Sequence, residues 1–316
     1  MITHPEKLLF PDDGISKGEL VRYYEAIAPV MLPHIRGRPV TMERYPAGID
    51  KKGFIQKDVS KGFPEWLERV EVPKRAGSSH YPLANDVRSL LWMANQNSIT
   101  PHVWPSRMPD LLHPDLCVFD LDPSQDDPRA LRAAVLQVRA LLEELGLRSW
   151  LKTSGSKGFH IVVPVDGEAP FAAVYEFTGA VGAVLVNRDP DHLTQEFIKA
   201  DREGRILIDT GRNGYGATFA AAYAVRPKPG APVSAPCTWQ ELENGSVEPR
   251  TFGLRTMVDR IANVGDLWED LRGSQQSLRI PIQSVRALLT EEDWREAQAA
   301  KRRKPRGTKR SDARKR

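Results

Sequence analysis

Apolar residues recur at helical spacing in Leu20, Tyr23, Tyr24, Ile27, Val30 and Met31, which predicts a helix over residues 18 to 37 with Gly37 beyond its end. Val87 to Gln96, with Leu90, Leu91, Trp92 and Met93, predicts a buried helix. Residues 127 to 146 carry the fullest helix signature: Asp127 as N-cap, Pro128 in the first turn, Leu131, Val135, Val138, Leu142 and Leu145 on one face, and Gly146 as the stop. A further helix is expected over Pro170 to Val186, and one or two between Thr251 and Leu271.

Strand patterns fall between these helices. Thr41 to Lys57 is broken by Pro46, Gly48 and Gly53, as expected of strands joined by turns. Leu116 to Asp122, Trp150 to Thr153, Phe159 to Val165, Arg205 to Asp209 and Ala217 to Arg226 each predict a strand. The segment from Pro227 to Pro236 predicts a loop. Mixed strands and helices without an internal repeat argue for an α/β or α+β fold and against a bundle or sandwich.

Composition narrows the chemistry. With 316 residues and 41% apolar residues, the chain has ample material for a core in one large domain or two small ones. It lacks both an apolar run of about 18 residues and a secretory signal, so a cytoplasmic protein is expected, with no membrane partner. The two cysteines, Cys117 and Cys237, have no CxxC partner, so any metal is to be sought at oxygen or histidine. Ten of the 45 basic residues lie in residues 301 to 316, leaving 35 against 40 acids in the body. Such a tail adds salt-sensitive attraction to phosphates, or is simply a solvated, disordered end.

Within the strand Leu116 to Asp122, alternation turns Asp120 and Asp122 to one face and Phe119 and Leu121 to the other. Two carboxylates roughly 6.6 Å apart repel unless positive charge lies between them, and a pair of divalent ions is a common solution. Asp209 ends its own strand opposite Ile206 and Ile208 and can complete an all-oxygen set suited to Mg²⁺ or Mn²⁺. A DxD pair by itself is also what many surface strands end in.

The loop Thr153 to Gly158 offers backbone N–H groups, the hydroxyl of Ser154 and Lys157 to phosphate, although an ordinary Gly-Ser turn fits it as well. His160 follows on the strand, where an imidazole N–H can donate to a triphosphate or to departing pyrophosphate, or can be satisfied structurally. Arg212 and Arg226 flank the third acid as candidate phosphate clamps or as surface charge.

Taken in order, Val118-Phe119-Asp120-Leu121-Asp122-Pro123, Lys152-Thr153-Ser154-Gly155-Ser156-Lys157-Gly158-Phe159-His160 and Ile208-Asp209, with Arg212-Asn213 and Gly216-Ala217-Thr218, closely resemble the polymerase domain of bacterial DNA ligase D. That family belongs to the archaeo-eukaryotic primase superfamily, and the resemblance runs from Lys7 to about Leu271. It implies an α+β, primase-like fold of two β-sheets flanked by helices, with an RRM-like catalytic sheet.

The resemblance also implies roles. Asp120, Asp122 and Asp209 hold two divalent ions, Mn²⁺ or Mg²⁺; Ser154, Lys157, His160, Arg212 and Arg226 contact the triphosphate; His102, with Arg44 lining the same pocket, sits near the incoming ribose, where ribonucleotides are favoured. Lys7 and Lys17 resemble the pair that grips a 5′-phosphate, Phe54 an aromatic that stacks on a DNA base, and Arg202 a loop arginine that guides a template or primer terminus. His4, where Asn is common, and Ile55, where some members have a second aromatic, depart from the pattern.

The implied organisation is a catalytic domain over residues 1–272, divided into an N-terminal part (1–110) with DNA-end contacts and a core (111–272). A helix-bearing extension (273–300) and the basic tail (301–316) follow. The implied activity is a DNA-dependent nucleotidyltransferase that fills gaps or extends ends during repair, located at the nucleoid. No ligase or nuclease module is recognised, so a stand-alone form working with nucleoside triphosphates, a separate ligase and the Ku end-binding protein is expected. Two other readings use some of the same residues. A two-metal phosphoesterase or nuclease needs the carboxylates without a triphosphate clamp, and a non-catalytic DNA-binding protein needs only the tail.

Overall fold

A computed structural model describes residues 2–60, 62–74 and 77–295. The basic tail and the last residues of the 273–300 extension lie outside the described residues. In chain order the strands are β1 (Leu8–Phe10), β2 (Ile15–Ser16), β3 (Val40–Arg44), β4 (Phe54–Gln56), β5 (Arg69–Pro73), β6 (Ser78–Pro82), β7 (Ser98–Val103), β8 (Leu116–Asp122), β9 (Trp150–Thr153), β10 (Phe159–Pro164), β11 (Leu193–Thr194), β12 (Ile206–Asp209), β13 (Phe219–Ala220) and β14 (Pro236–Cys237). The helices are α1 (Lys17–Ile35), α2 (Val87–Asn95), α3 (Pro128–Glu144), α4 (Phe171–Arg188), α5 (Trp239–Glu243), α6 (Met257–Val264) and α7 (Arg279–Ala287).

A six-stranded sheet runs in the order β11-β12-β8-β10-β9-β14, and a four-stranded sheet in the order β13-β7-β3-β4. The hairpins β1-β2 and β5-β6 stand beside them. At the centre of the larger sheet, β8-α3-β9-β10-α4-β12 form a βαββαβ unit whose strands lie in the order β12-β8-β10-β9, the ferredoxin-like arrangement.

Alternation along these strands creates two cores. Cys117, Phe119, Leu121, Phe159, Ile161, Val163, Ile206 and Ile208 pack with Leu131, Val135, Val138, Phe177 and Val181 of α3 and α4. Leu116, Val118, Trp150 and Val162 join the other core, with Val40, Met42, Ile99 and Val103 of the smaller sheet and Tyr24, Ile27 and Met31 of α1. The second sheet thus covers part of the face of the first that the helices leave bare.

Local signals hold α3 and α1 in place. The Asp127 side chain accepts from Arg129 N and Ala130 N, and Gly146 follows the helix at a φ of +77°. α1 starts one residue earlier than the pattern predicts, because Ser16 and Glu19 form a capping box, and it runs through Pro29 and Pro33. The interior prolines each remove a backbone donor, a loss outweighed by burial of Tyr24, Ile27, Met31 and Leu32.

The expected strand over Ala217 to Arg226 is a correction: only Phe219–Ala220 forms a strand, Val225 makes an isolated antiparallel bridge to Val233, and Tyr223 turns the chain at a φ of +67°. Buried tyrosine hydroxyls of α1, with backbone bonds to residues 232–234, serve this stretch in place of a continuous ladder. Tyr23 donates to the Tyr223 carbonyl at 2.7 Å, and Val225 N donates to the Tyr24 hydroxyl at 3.1 Å. The 251–271 stretch forms α6 and a 3₁₀ turn at Glu269–Gly273.

Candidate active site

The βαββαβ order sets ionisable side chains in one row. His160 pairs in register with Lys152 on one neighbour and with Asp120 on the other, and Asp120 pairs with Asp209. Lys152, His160, Asp120 and Asp209 therefore stand side by side on four strands, and Asp122 lies two residues along β8 on the same face. Their apolar neighbours are drawn under the helices, which leaves the polar set on the opposite face.

This row floors a cleft of about 290 Å³. Ser154, Lys157, Arg202, Arg212 and Arg226 line it from the loops of the large sheet, and His102, Phe219 and Ala220 line it from the smaller sheet. Each carboxylate faces an arginine: Arg212 Nε lies 3.1 Å from Asp120 and 3.3 Å from Asp209, and Arg202 Nη1 lies 3.0 Å from Asp122. His160 Nε2 is 3.4 Å from Asp120.

Burial disfavours the Asp120 carboxylate, but His160, through its side-chain hydrogen bond, and then Arg212 and Lys152 more than offset this and hold its pKa below the ordinary range. Asp209 goes the other way. Burial raises its pKa, Arg212 opposes the rise, and repulsion from Asp120 adds to it. Burial and then the neighbouring Lys152 push His160 down to about 4, so its ring is neutral at pH 7. Its Nδ1 is buried and has no hydrogen-bond partner among the described residues.

The loop after β9 is shaped by its own side chain. Ser154 Oγ accepts from Ser156 N and Gly158 N, both at 3.1 Å, and Arg226 Nη1 donates to the Ser154 carbonyl at 2.9 Å. A Cβ on Gly158 would lie 1.7 Å from the carbonyl oxygen of Leu121, the residue between the two aspartates of β8. Gly158→Ala is therefore expected to push the loop off β8. The stability loss is roughly 1–3 kcal/mol or more, and nucleotide addition falls at least about tenfold. Denaturant unfolding together with primer extension checks this; an unchanged transition midpoint would show that the close approach does not matter.

Among the described residues, no three His, Cys, Asp or Glu side chains converge closely enough to cage a metal ion, and the arginines supply the positive charge beside the carboxylates. The donor set still suits a hard divalent cation. It is made of carboxylate oxygens, and Asp120 and Asp209 face each other across paired strands with mutual repulsion.

Comparison with known proteins decides the family. Residues 16–268 match the profile of the LigD primase-polymerase domain. The chain belongs to this family. The multifunctional non-homologous end joining protein LigD of Mycolicibacterium smegmatis is 34% identical over 269 residues, covering 84% of this chain and 35% of that protein. The Pseudomonas aeruginosa LigD is 34% identical over 283 residues, 88% of this chain and 33% of the relative. The chain thus spans about a third of the length of the curated relatives it matches. The solved polymerase domain from Mycobacterium tuberculosis ligase D in complex with DNA is similar at 32% identity, with a TM-score of 0.82 over 87% of this chain and 99% of that one. As a LigD primase-polymerase domain, the chain is a nucleotidyltransferase with a primase-like fold.

Of the residues singled out from the sequence, Asp120, Asp122, Asp209, Ser154, Lys157, His160, Arg202, Arg212, Arg226 and His102 share this cleft. Arg44 is not among the residues that line it. Arg44 and Glu43 point to opposite faces of β3, and Glu43 takes the cleft side, within 2.9 Å of His102. Arg44 instead donates to Gln56 Oε1 and the Gln96 carbonyl and lies over the ring of the exposed Phe54, 5.2 Å from its centroid.

Lys17 is 2% exposed and donates to Thr3 Oγ1 and the Asn95 carbonyl, with Lys7 close enough for its charge to add to the lowering of the Lys17 pKa by burial. This pair lies apart from the cleft. Three residues beside the site carried no role in the sequence. Lys152 is fully buried, its Nζ donates to Ser234 Oγ, and burial with the neighbouring Arg226 lowers its pKa well below the usual value. Asn213 brackets Val118 with both backbone bonds and so fixes the turn that bears Arg212. Glu43 is the third. The signal was present for Lys152 and Asn213, polar residues within the motifs, and absent for Glu43.

Proposed function

We propose that this chain adds nucleotides, ribonucleotides in preference, to a primer 3′-end at DNA gaps or breaks during end joining or gap filling. The observation that carries the reading is the facing of Asp120 and Asp209 across paired strands, in a cleft whose remaining charge is cationic. Asp120, Asp122 and Asp209 would hold two divalent ions, Mn²⁺ or Mg²⁺. Bound there, such ions supply charge neutralisation and acidify a primer hydroxyl.

The chain's own groups do the rest. Arg212 and Arg226 present guanidinium forks that match phosphate oxygens, and exposed Lys157 adds a point charge at the loop tip. Unbonded His160 Nδ1 is reserved for a ligand atom. This triphosphate clamp is what a two-metal nuclease would not need, and it favours the polymerase reading. DNA is the polymer partner by the same logic, since a solved relative is held in complex with DNA. Lys7 and Lys17 are assigned to the 5′-phosphate, Phe54 to a stacked base and Arg202 to the template or primer terminus. A ligase and the Ku end-binding protein would complete repair in the manner of the relatives named for end joining.

The test is a primer-extension panel of blunt, gapped and overhanging DNA, with and without a 5′-phosphate, supplied with ribonucleotides or deoxynucleotides. Lengthening that depends on added triphosphate is expected, strongest with ribonucleotides on the phosphorylated gap. Shortening of the labelled strand without triphosphate would overturn the reading in favour of a nuclease.

A further inference from the structure

His102 stands on the wall of the cleft opposite the carboxylate row, on β7 and in register with Thr41 of β3 and Ala220 of β13. Its Nε2 lies 2.9 Å from Glu43 Oε2. The other oxygen of Glu43 accepts from the Tyr45 hydroxyl at 3.1 Å. Glu43 and His102 are both largely covered, with side chains 18% and 17% exposed. Among the described residues nothing hydrogen-bonds to His102 Nδ1, and that atom is not among the buried atoms left without a partner.

An ionised carboxylate can only accept. Burial would raise the Glu43 pKa, but the hydrogen bond from His102, the charge of Arg226 and the hydrogen bond from Tyr45 outweigh it, so Glu43 is ionised. His102 Nε2 must therefore donate. Burial chiefly, with Arg226 and Arg212 adding repulsion, keeps the His102 ring below its usual pKa against the pull of Glu43, so the proton on Nε2 is the ring's only one at neutral pH. Nδ1 is left with a bare lone pair on the cleft wall.

We propose that Glu43 is a positioning residue for substrate choice: by accepting a hydrogen bond from Nε2–H it fixes His102 in one tautomer, so that Nδ1 accepts a hydrogen bond from a sugar hydroxyl of the incoming nucleotide. This rests on the polymerase reading and deepens it. A site that offers a fixed acceptor favours a nucleotide whose 2′-carbon bears a hydroxyl over one bearing hydrogen, because the deoxy analogue leaves the acceptor unpaired. A glutamine at position 43 breaks the logic without changing shape. Its amide presents an acceptor or a donor with equal ease, so either imidazole tautomer is satisfied.

The experiment uses the full chain with ¹⁵N-labelled histidine, His102 being assigned by comparison with His102→Asn. In the wild type, His102 is expected as the Nε2–H tautomer, and in Glu43→Gln as a mixture. In parallel, the ratio of kcat/KM for ATP to that for dATP is expected to fall about tenfold in Glu43→Gln, the size of one ordinary hydrogen bond, and to be restored towards wild type in Glu43→Asp. A merely structural Glu43 would lower both substrates equally and leave the ratio unmoved. That result, or an Nδ1–H tautomer in the wild type, would overturn the assignment. Should the wild type extend no primer with any nucleotide, the polymerase reading falls, and the tautomer spectra then decide the role of Glu43 towards His102 alone.

Discussion

Asp209→Ala abolishes nucleotide addition, a fall of at least about 10³-fold in kcat, yet the variant melts at pH 7 no lower than the wild type. The first half follows from the row. Asp209 is the carboxylate that β12 places directly across from Asp120, and among the described residues Asp122 is the one further acidic side chain that lines the cleft. Losing one ligand of a charge-neutralising cation site costs several kcal/mol of transition-state stabilisation, and about 4 kcal/mol is already a thousandfold in rate.

The second half follows from the sign of the pKa shift. Burial and Asp120 push the Asp209 pKa up, against Arg212. A carboxylate whose folded pKa lies above its unfolded value binds its proton more tightly in the native state, so at pH 7 its ionisation is a strain on the fold that fades as the pH falls through the folded value. Removing it relieves that strain, as expected where function and stability compete. Primer extension and thermal melting on the same preparation check both halves. A variant that loses activity only in proportion to a lowered melting temperature would mean that Asp209 is a structural residue. Asp120 is the less decisive position, because its lowered pKa marks a carboxylate that the surrounding cations hold and that helps hold the fold.

How much of this was legible in the sequence depends on which physical rule wrote the residue. Alternation is obeyed strictly where both faces of a strand have an assigned neighbour, and Leu116–Asp122, Trp150–Thr153 and Phe159–Pro164 were readable almost to the residue. The same rule turned Asp120 and Asp122 to one face of their strand, and the register then sets His160 beside Asp120. α3 was readable because cap, proline and apolar stripe all agree.

Legibility failed where tertiary partners replace local pattern. The alanine-rich stretch after Phe219 resembles a strand, but tyrosine hydroxyls two hundred residues away in sequence take its backbone groups. β7 was hidden by Pro101 in its middle, and the hairpin β5-β6 by its mixed exposure. Lys152 and Glu43 carry no local mark of burial. Only the register that sets Lys152 beside His160, and Glu43 two positions along β3 from the residue opposite His102, reveals that they belong to the site.

Asp115→Ala is expected to cost about 3–5 kcal/mol of folding stability, the largest loss of any single change outside the apolar cores. Arg38, immediately after α1, is 1% exposed and makes a two-pronged bond to Asp115, Nη1 to Oδ1 at 2.6 Å and Nη2 to Oδ2 at 2.8 Å. Arg107 adds a third bond to the same carboxylate at 2.7 Å. Asp115 directly precedes β8, so this contact anchors the strand that carries Asp120 and Asp122 to the segment that follows the longest helix. Removing the carboxylate leaves a guanidinium buried without a counter-charge.

The pH dependence carries the same signature. Burial would raise the Asp115 pKa, but Arg38 and Arg107 lower it further than burial raises it. The resulting stability is fully present above the unfolded carboxylate value of about 4 and is lost as the pH falls through the lower folded value. Urea unfolding at pH 7 measures the main effect, and a loss below about 1 kcal/mol would show that water reaches Arg38 after all. The companion variant separates a missing bond from a stranded charge. Replacing Arg38 by Met and Asp115 by Leu together removes the bond and the charge at once, and the double variant should be more stable than Asp115→Ala alone, because the cost lies mainly in the unpaired cation.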